Sequence, residues 1–377
     1  MRKNINILHL HSGIGDSGGI ANYISNLLQA KTPSSFNIFV TCSKKKNKQV
    51  KNSGLFDESK LLFIDLDRYN IFSLFLNFLR VNTLVRNNSI DLIHAHALRS
   101  GLLACLNKIL FSQIYIYTNH GLRFTQKNTI PKKIIFYLYE TLIIIFSDYT
   151  CCIRKIDYQK LLDSPFNIFF KHKLKLVKTK LKMPKYCFLK KQSKKLKIVG
   201  IGSLIQVKRP FLFLEIIVEL YKLNKNIDAI WIGDGELKNS ILEKSNKLNA
   251  PIKWLGHLSK NDLQRYLGES YLTLLTSEFE VFPLSIIESY WGGLPVISLD
   301  FFGVNEFIKD QKTGLILPST STPNFIAHEI NNFLNKNVKS NKMNNYITSY
   351  FWDELYDNGK SYELYFHLYK SILKKYF

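Results

Sequence analysis

"SEFEVFPLSIIESYWGGLPVI", Ser277 to Ile297, follows the apolar run "YLTLLT" and holds a complete strand-to-strand connection. The run before it reads as a strand. Glu280 falls in the loop that follows, and Pro283 stands where a helix begins. Glu288 comes eight residues after Glu280, inside that helix. Gly292 and Gly293 end the helix, and Pro295 opens a new apolar run, "LPVISL". A strand joined to the next strand by a helix is one step of a parallel sheet covered by helices.

The same step recurs on both sides. Toward the C-terminal half, "LKIVGIG", "IDAIWIG" and "IKWLG" read as strands, and "PFLFLEIIVELYKLN" as a helix that starts at Pro210, where the missing N–H costs nothing. In the N-terminal half, "INILHL", "FNIFVTC", "LLFIDL", "DLIHAH", "IYIYTNH" and "YTCCI" alternate with helical stretches such as Asn70–Arg86 and Pro131–Phe146. The Lys-rich stretch from Lys178 to Lys195 breaks the pattern and reads as a connector, and "CSKKKNKQVKNSG" as a mobile loop. A chain of 377 residues exceeds one ordinary core. The expectation is two tandem doubly wound α/β domains, 1–185 and 186–350, with a C-terminal helical segment, 351–377, crossing back to the first domain.

Composition narrows the function classes. The longest apolar stretch, "IIFYLYETLIIIF", is short and carries Glu140, so it does not read as a membrane span. "MRKNINILHLHSG" turns polar too soon for a signal peptide. Five cysteines without C-x-x-C spacing argue for a reducing cytoplasm and against a zinc or disulfide framework. Charge is lopsided: residues 1–195 carry net +22 of the total +23. A basic half-molecule suits an anionic partner, a membrane surface or a nucleic acid.

Three loops carry candidate chemistry. "GIGSLIQVKRP" places Gly202 and Ser203 in a turn and Lys208 and Arg209 at a helix entrance, where backbone N–H groups and the helix dipole favour an anion such as a diphosphate. Glu280 and Glu288 can point into one site from a loop and a helix, as acceptor groups for sugar hydroxyls. "DFFGVNEFIKDQKTGLIL" adds Gly303, Glu306 and Gly314 at the same rim. Near the N-terminus, "HSGIGDSGGI" matches G-x-G-x-x-G at Gly13, Gly15 and Gly18, a dinucleotide fingerprint. A nicotinamide site wants an acidic residue after the second strand, and "TCSKKKNK" stands there instead. The basic half could alternatively bind nucleic acid, but no groove-reading motif or aromatic platform is recognisable.

Here the chain resembles a known family. "EVFPLSIIESYWGGLPVI" is similar to the E-x7-E signature of retaining glycosyltransferases of family 4, which have the GT-B fold. "GDSGGIANYISNLL", "LIHAHALRSGLLA", "YTNHGLRF", "IWIGDGELKNSI" and "FFGVNEFIKDQKTGLIL" resemble further elements of that family, in order along nearly the whole chain. The resemblance implies two Rossmann-like domains facing across a cleft and a nucleotide-sugar donor. It implies that Lys208 neutralises the donor diphosphate in place of a metal, that Glu288 binds the ribose, and that Glu280 orients the donor sugar, with Phe282, Pro283 and Leu284 beside it. Gly18 and Gly19 would approach the diphosphate, and His120 would face the sugar. His94 and His96 are open between structural and acceptor-side roles.

The sequence departs from the family pattern at Ser203, where Arg is frequent, and at Val281 and Pro283, where Gly is usual. Arg209 offers a substitute cation. With no D-x-D at a strand end, the implied design needs neither metal nor cofactor. Whether Glu280 acts as nucleophile or the phosphate serves as base stays open. The expected acceptor is a lipid-linked glycan in capsule, O-antigen or exopolysaccharide assembly, with the basic N-terminal domain on the anionic inner face of the cell membrane.

Overall fold

The computed structural model describes residues 5–11, 19–29, 33–44, 47–52, 56–64, 66, 71–126, 128–177, 180, 195–337, 341–356 and 362–376. The chain divides into two compact units, Met1–Lys182 with Asp357–Phe377, and Met183–Tyr356. Residues 351–356 therefore stay with the second unit, and the returning helix is Glu363–Tyr376.

In the first unit, strands β1 (Ile5–Leu10), β2 (Phe36–Cys42), β3 (Leu61–Phe63), β4 (Leu92–His96), β5 (Ile114–Asn119), β6 (Tyr149–Cys152) and β7 (Leu174–Leu176) form one sheet in the order β3-β2-β1-β4-β5-β6-β7. Every pairing is parallel. Strands β4 and β5 are buried at every residue. This is why they read as continuous apolar runs rather than alternating ones. The run "CSKKKNKQVKNSG" contains a helix, Asn47–Asn52, rather than loop alone; Val50 is its buried anchor.

In the second unit, β8 (Leu196–Ile201), β9 (Ile227–Ile232), β10 (Ile252–Trp254), β11 (Leu272–Leu275), β12 (Val296–Leu299) and β13 (Gly314–Leu317) form a second parallel sheet, ordered β10-β9-β8-β11-β12-β13. Its core gathers Ile198, Phe213, Ile217 and Leu274 with residues of the 323–337 helix such as Ile326 and Ile330.

Both sheets run outward in two directions from a central pair, β1/β4 in one and β8/β11 in the other. In such doubly wound sheets the loops leaving the two central strands diverge, and ligands bind in the crevice that opens there. The sites described next lie at these two switch points.

Candidate active site

In the second unit the loop after β8 and the loop after β11 are joined at several points. Glu278 donates its backbone N–H to the Val207 carbonyl at 2.9 Å. The Thr276 hydroxyl donates to the Lys208 carbonyl at 2.8 Å and the Arg209 carbonyl at 3.2 Å. The Lys208 ammonium forms an ion pair with Glu280 Oε1, and the Ser277 hydroxyl donates to that same oxygen at 2.7 Å. Glu280 is nearly buried, with 8% of its side chain exposed, and Lys208 keeps 21%. A half-buried pair of this kind holds its geometry, because removing either member strands a charge away from water.

Local backbone explains how Lys208 reaches Glu280. A 3-10 turn, Gln206–Lys208, leads into Arg209, which adopts φ 52° and ψ 52°. Left-handed backbone costs a non-glycine residue roughly 1–2 kcal/mol. It redirects the chain between Lys208 and Pro210, the first residue of the 210–223 helix. The loop rests on the turn after β9: a Cβ at Gly233 (φ 134°) would lie 2.1 Å from the Gly202 carbonyl oxygen. The amides of Leu212 and Phe213 at the helix entrance both donate to the Arg209 carbonyl, and Lys208 and Arg209 flank this start of the helix.

The helix Leu284–Trp291 leaves the same rim. Pro283 is buried at its N-cap, and Ser285, Ile286, Ile287, Ser289, Tyr290 and Trp291 are buried along it. Leu284 and Glu288 are partly open, and their four-residue spacing puts them on one face. Ser289 anchors the opposite face through Thr273 Oγ1 at 2.6 Å. The Phe282 ring packs edge-on to Phe307 at 5.7 Å, beside Gly303 and the partly exposed Glu306. Gly202 is partly exposed and Ser203 exposed. The second unit thus brings Gly202, Ser203, Lys208, Arg209, Glu280, Phe282, Pro283, Leu284 and Glu288 onto the C-terminal ends of neighbouring strands.

In the first unit, Gly18 lies outside the described residues. Gly19 opens the 19–29 helix, and a Cβ there would meet nothing within 4 Å among the described residues. His120 follows β5 and is 9% exposed. It is not alone. His120 Nε2 lies 3.1 Å from His96 Nδ1, and His96 Nε2 lies 2.9 Å from His9 Nδ1. His94 shares hydrogen bonds with the hydroxyls of Tyr369 at 2.6 Å and Thr118 at 2.7 Å. Burial pushes the His9 and His120 pKa down to about 3 and that of His11 to about 4. It holds His94 and His96 far below the usual imidazole range, with neighbouring imidazoles lowering both further. All are neutral near pH 7.

His9, His94 and His96 bring one ring nitrogen each within 4.8 Å of one another, a grouping that metal sites share. Two ligands of a tetrahedral ion at 2.0–2.1 Å sit about 3.3 Å apart. The 2.9 Å between His9 and His96 is instead a hydrogen-bond distance. Sequence reasoning weighed His94, His96 and His120 but missed His9, Tyr365 and Tyr369. The signal was present: His9 and His11, like His94 and His96, alternate along a strand, and side chains two apart share a face. The parallel register then sets His9 directly beside His94.

Comparison with known proteins identifies the family and the fold. A family model described as "Glycosyl transferases group 1" matches residues 188–350, and one described as "Glycosyl transferase 4-like" matches residues 17–148. The chain is 25% identical over 320 residues to the O-antigen biosynthesis glycosyltransferase WbnH of Escherichia coli, covering 84% of this chain and 87% of that protein. It is 23% identical over 291 residues to the UDP-Gal:alpha-D-GlcNAc-diphosphoundecaprenol alpha-1,3-galactosyltransferase of E. coli, covering 70% and 73%. Among solved structures it resembles HepE of Anabaena in complex with UDP and glucose, with TM-score 0.75 and 12% identity over 98% of this chain and all of that one. Two switch-point sites on two Rossmann-ordered sheets, matched across both halves by these models, make the chain a member of the family 4 glycosyltransferases with the GT-B fold.

Proposed function

We propose that the chain transfers a hexose-type sugar from a nucleotide-diphosphate donor to an acceptor hydroxyl, with retention at the anomeric carbon and without a metal. The observation that carries this reading is the meeting of Lys208 and Glu280 at the second switch point, next to a helix whose open positions are Leu284 and Glu288. The ammonium has three donors, and one goes to Glu280, so Lys208 can also hold a diphosphate oxygen. Glu288 accepts from ribose hydroxyls, and Glu280 orients the donor sugar.

In the transfer, the bond from the anomeric carbon to the diphosphate oxygen breaks and its electron pair leaves with the phosphate. The acceptor oxygen forms the new bond on the same face, and its proton passes to the departing phosphate oxygen. Charge builds on the diphosphate, and a preorganised cation aimed at that charge is worth several kcal/mol. His120, neutral, contributes a hydrogen bond to the sugar rather than a charge.

The relatives' names point to the acceptor. WbnH is named for O-antigen biosynthesis and the galactosyltransferase for a diphosphoundecaprenol substrate. A lipid-linked glycan at the inner face of the cell membrane fits the basic N-terminal half. Among the described residues no helix is long and apolar enough to cross a membrane.

The test is a panel of UDP- and GDP-hexoses read by thermal shift, since a ligand at 100 times its Kd stabilises by about 2.7 kcal/mol. The stabilising donor is then turned over in EDTA and the product linkage assigned by NMR. Retained configuration without added metal is expected. An inverted product, or turnover that stops in EDTA and returns with Mg²⁺, overturns the proposal.

A further inference from the structure

We propose that His120 is the outer end of a buried hydrogen-bond chain running through His96, His9, Tyr369, His94, Thr118 and Tyr365 to Tyr23, and that this chain sets which ring nitrogen His120 presents as a donor. The inference rests on the reading of His120 as a donor-sugar contact. The links, in order from His120, measure 3.1, 2.9, 3.5, 2.6, 2.7, 3.3 and 2.5 Å. His9, His94, His96, Thr118, Tyr365 and Tyr369 have no measurable exposure.

Each neutral imidazole has one donor and one acceptor nitrogen, and each hydroxyl donates one hydrogen. Direction therefore propagates. If His120 Nε2–H donates to His96 Nδ1, then His96 carries its hydrogen on Nε2 and donates to His9 Nδ1. His9 then donates from Nε2 to the Tyr369 oxygen, Tyr369 donates to His94 Nδ1, and His94 Nε2–H donates to Thr118. Thr118 donates to Tyr365, and Tyr365 to Tyr23. In that direction His120 Nδ1 is an acceptor. In the reverse direction every hydrogen crosses to the other partner of its link, and His120 Nδ1–H becomes a donor. All residues stay neutral in both, which is what burial favours for every histidine in the chain.

Four of these seven links depend on the returning C-terminal helix. Tyr365 and Tyr369 are four residues apart on its buried face. They join the ends of β1, β4 and β5 to the 19–29 helix through Tyr23. The helix thus does more than cover the sheet: its two hydroxyls close a chain that the strands alone leave in pieces. His96, His9, His94 and Tyr369 are positioning residues for His120.

The experiment is Tyr369→Phe in the full chain, with ring-¹⁵N histidine and two-bond ¹⁵N–¹H correlation spectra that read each tautomer. The expected result is a changed tautomer pattern at His9, His94 and His120, and a fall in kcat of up to about tenfold, the equivalent of one hydrogen bond, with donor KM unchanged. Phe366→Leu perturbs the same helix's packing without touching a link and should leave the His120 signals in place. If Tyr369→Phe does not fold, Thr118→Val breaks the chain at another link and is read the same way. Unchanged His120 signals in a folded variant overturn the chain, as does stoichiometric zinc on His9, His94 and His96 in the purified protein. A changed His120 tautomer with unchanged turnover instead supports the chain and overturns the placement of His120 at the donor sugar.

Discussion

At the switch point of the first sheet, histidines and tyrosines from β1, β4, β5 and two helices are buried and neutral. At the switch point of the second, the Lys208 ammonium pairs with the Glu280 carboxylate, Glu288 stands on the helix that follows, and Lys208 and Glu288 keep part of their surface in water. The scaffolds are alike down to one detail. Each places a non-glycine residue in left-handed backbone directly after a key side chain, Ala97 (φ 65°) after His96 and Arg209 (φ 52°) after Lys208. The lesson is that strand order fixes where a site opens, while desolvation decides what it can do. A dry rim makes directional hydrogen bonds, and a wetter rim makes charge.

The sharpest way to break this contrast is acid. His9 and His120 bind a proton near pH 6.5 when unfolded and only near pH 3 when folded. Between those values the unfolded chain holds more protons, so stability falls as pH falls. The stability is fully present above about pH 6.5 and is lost toward pH 3. Each tenfold difference in proton affinity between the two states is worth about 1.4 kcal/mol, and both histidines act in the same direction across that window, against the buried Glu140, whose raised pKa works the other way. The first unit should therefore lose hydrogen-exchange protection on acidification before the second. Simultaneous loss of protection in both units would break the contrast.

The two rims were also unequally legible in sequence. Glu280, Leu284 and Glu288 sit in one short stretch that helix and loop periodicity reads, and Lys208, 72 positions before Glu280, joins them through the single pairing of β8 with β11. The histidine chain joins residues as distant as His9 and Tyr369, 360 positions apart. Only the strand order β1-β4-β5 and the docking of the last helix unite them, and neither is written in local pattern. Strands β7 and β13 went unread for a different reason. They have three and four residues, and Gly314 opens β13 because a Cβ there would lie 1.8 Å from the Val296 carbonyl oxygen.

The next largest effects lie at the charged rim. Lys208→Ala should lower kcat by about 10²–10³, the loss typical of one donor aimed at developing negative charge. Steady-state rates in the stabilising donor's presence measure it; a loss below tenfold would mean that Arg209 or another group carries the diphosphate. Glu288→Ala should weaken donor binding by about 1.5–3 kcal/mol, one charged hydrogen-bond acceptor, and leave the first unit's acid transition where it was. Calorimetry with the nucleotide diphosphate reads the first effect. Unchanged affinity in a folded variant removes Glu288 from the site.

The smallest effect tests whether the first unit's charge has a partner. The 130–146 helix turns Ile130, Ile134, Leu138, Leu142 and Phe146 outward at four-residue intervals, and Ile130 is 76% exposed. Its one acid, Glu140, is buried on the other side, where desolvation raises its pKa to about 8. The exposed Phe166, Ile168 and Phe169 continue the apolar surface, tied to the helix by the 2.7 Å hydrogen bond between Tyr137 and Ser164. Lys132 and Lys133 stand at the helix's first turn. An apolar stripe flanked by lysines suits the interface of an anionic bilayer. Each lysine near that surface contributes about 1 kcal/mol, and the attraction fades within a Debye length of about 8 Å at physiological salt. Lys132→Glu with Lys133→Glu should therefore lower flotation with anionic vesicles at low salt, while nucleotide binding, which the proposed function assigns to the second unit, holds. Ile134→Ser with Leu138→Ser should lower the part of the binding that survives high salt, because apolar insertion is not screened. If the wild-type protein ignores anionic vesicles even at low salt, the basic surface is only solvated and a soluble acceptor replaces the lipid-linked one.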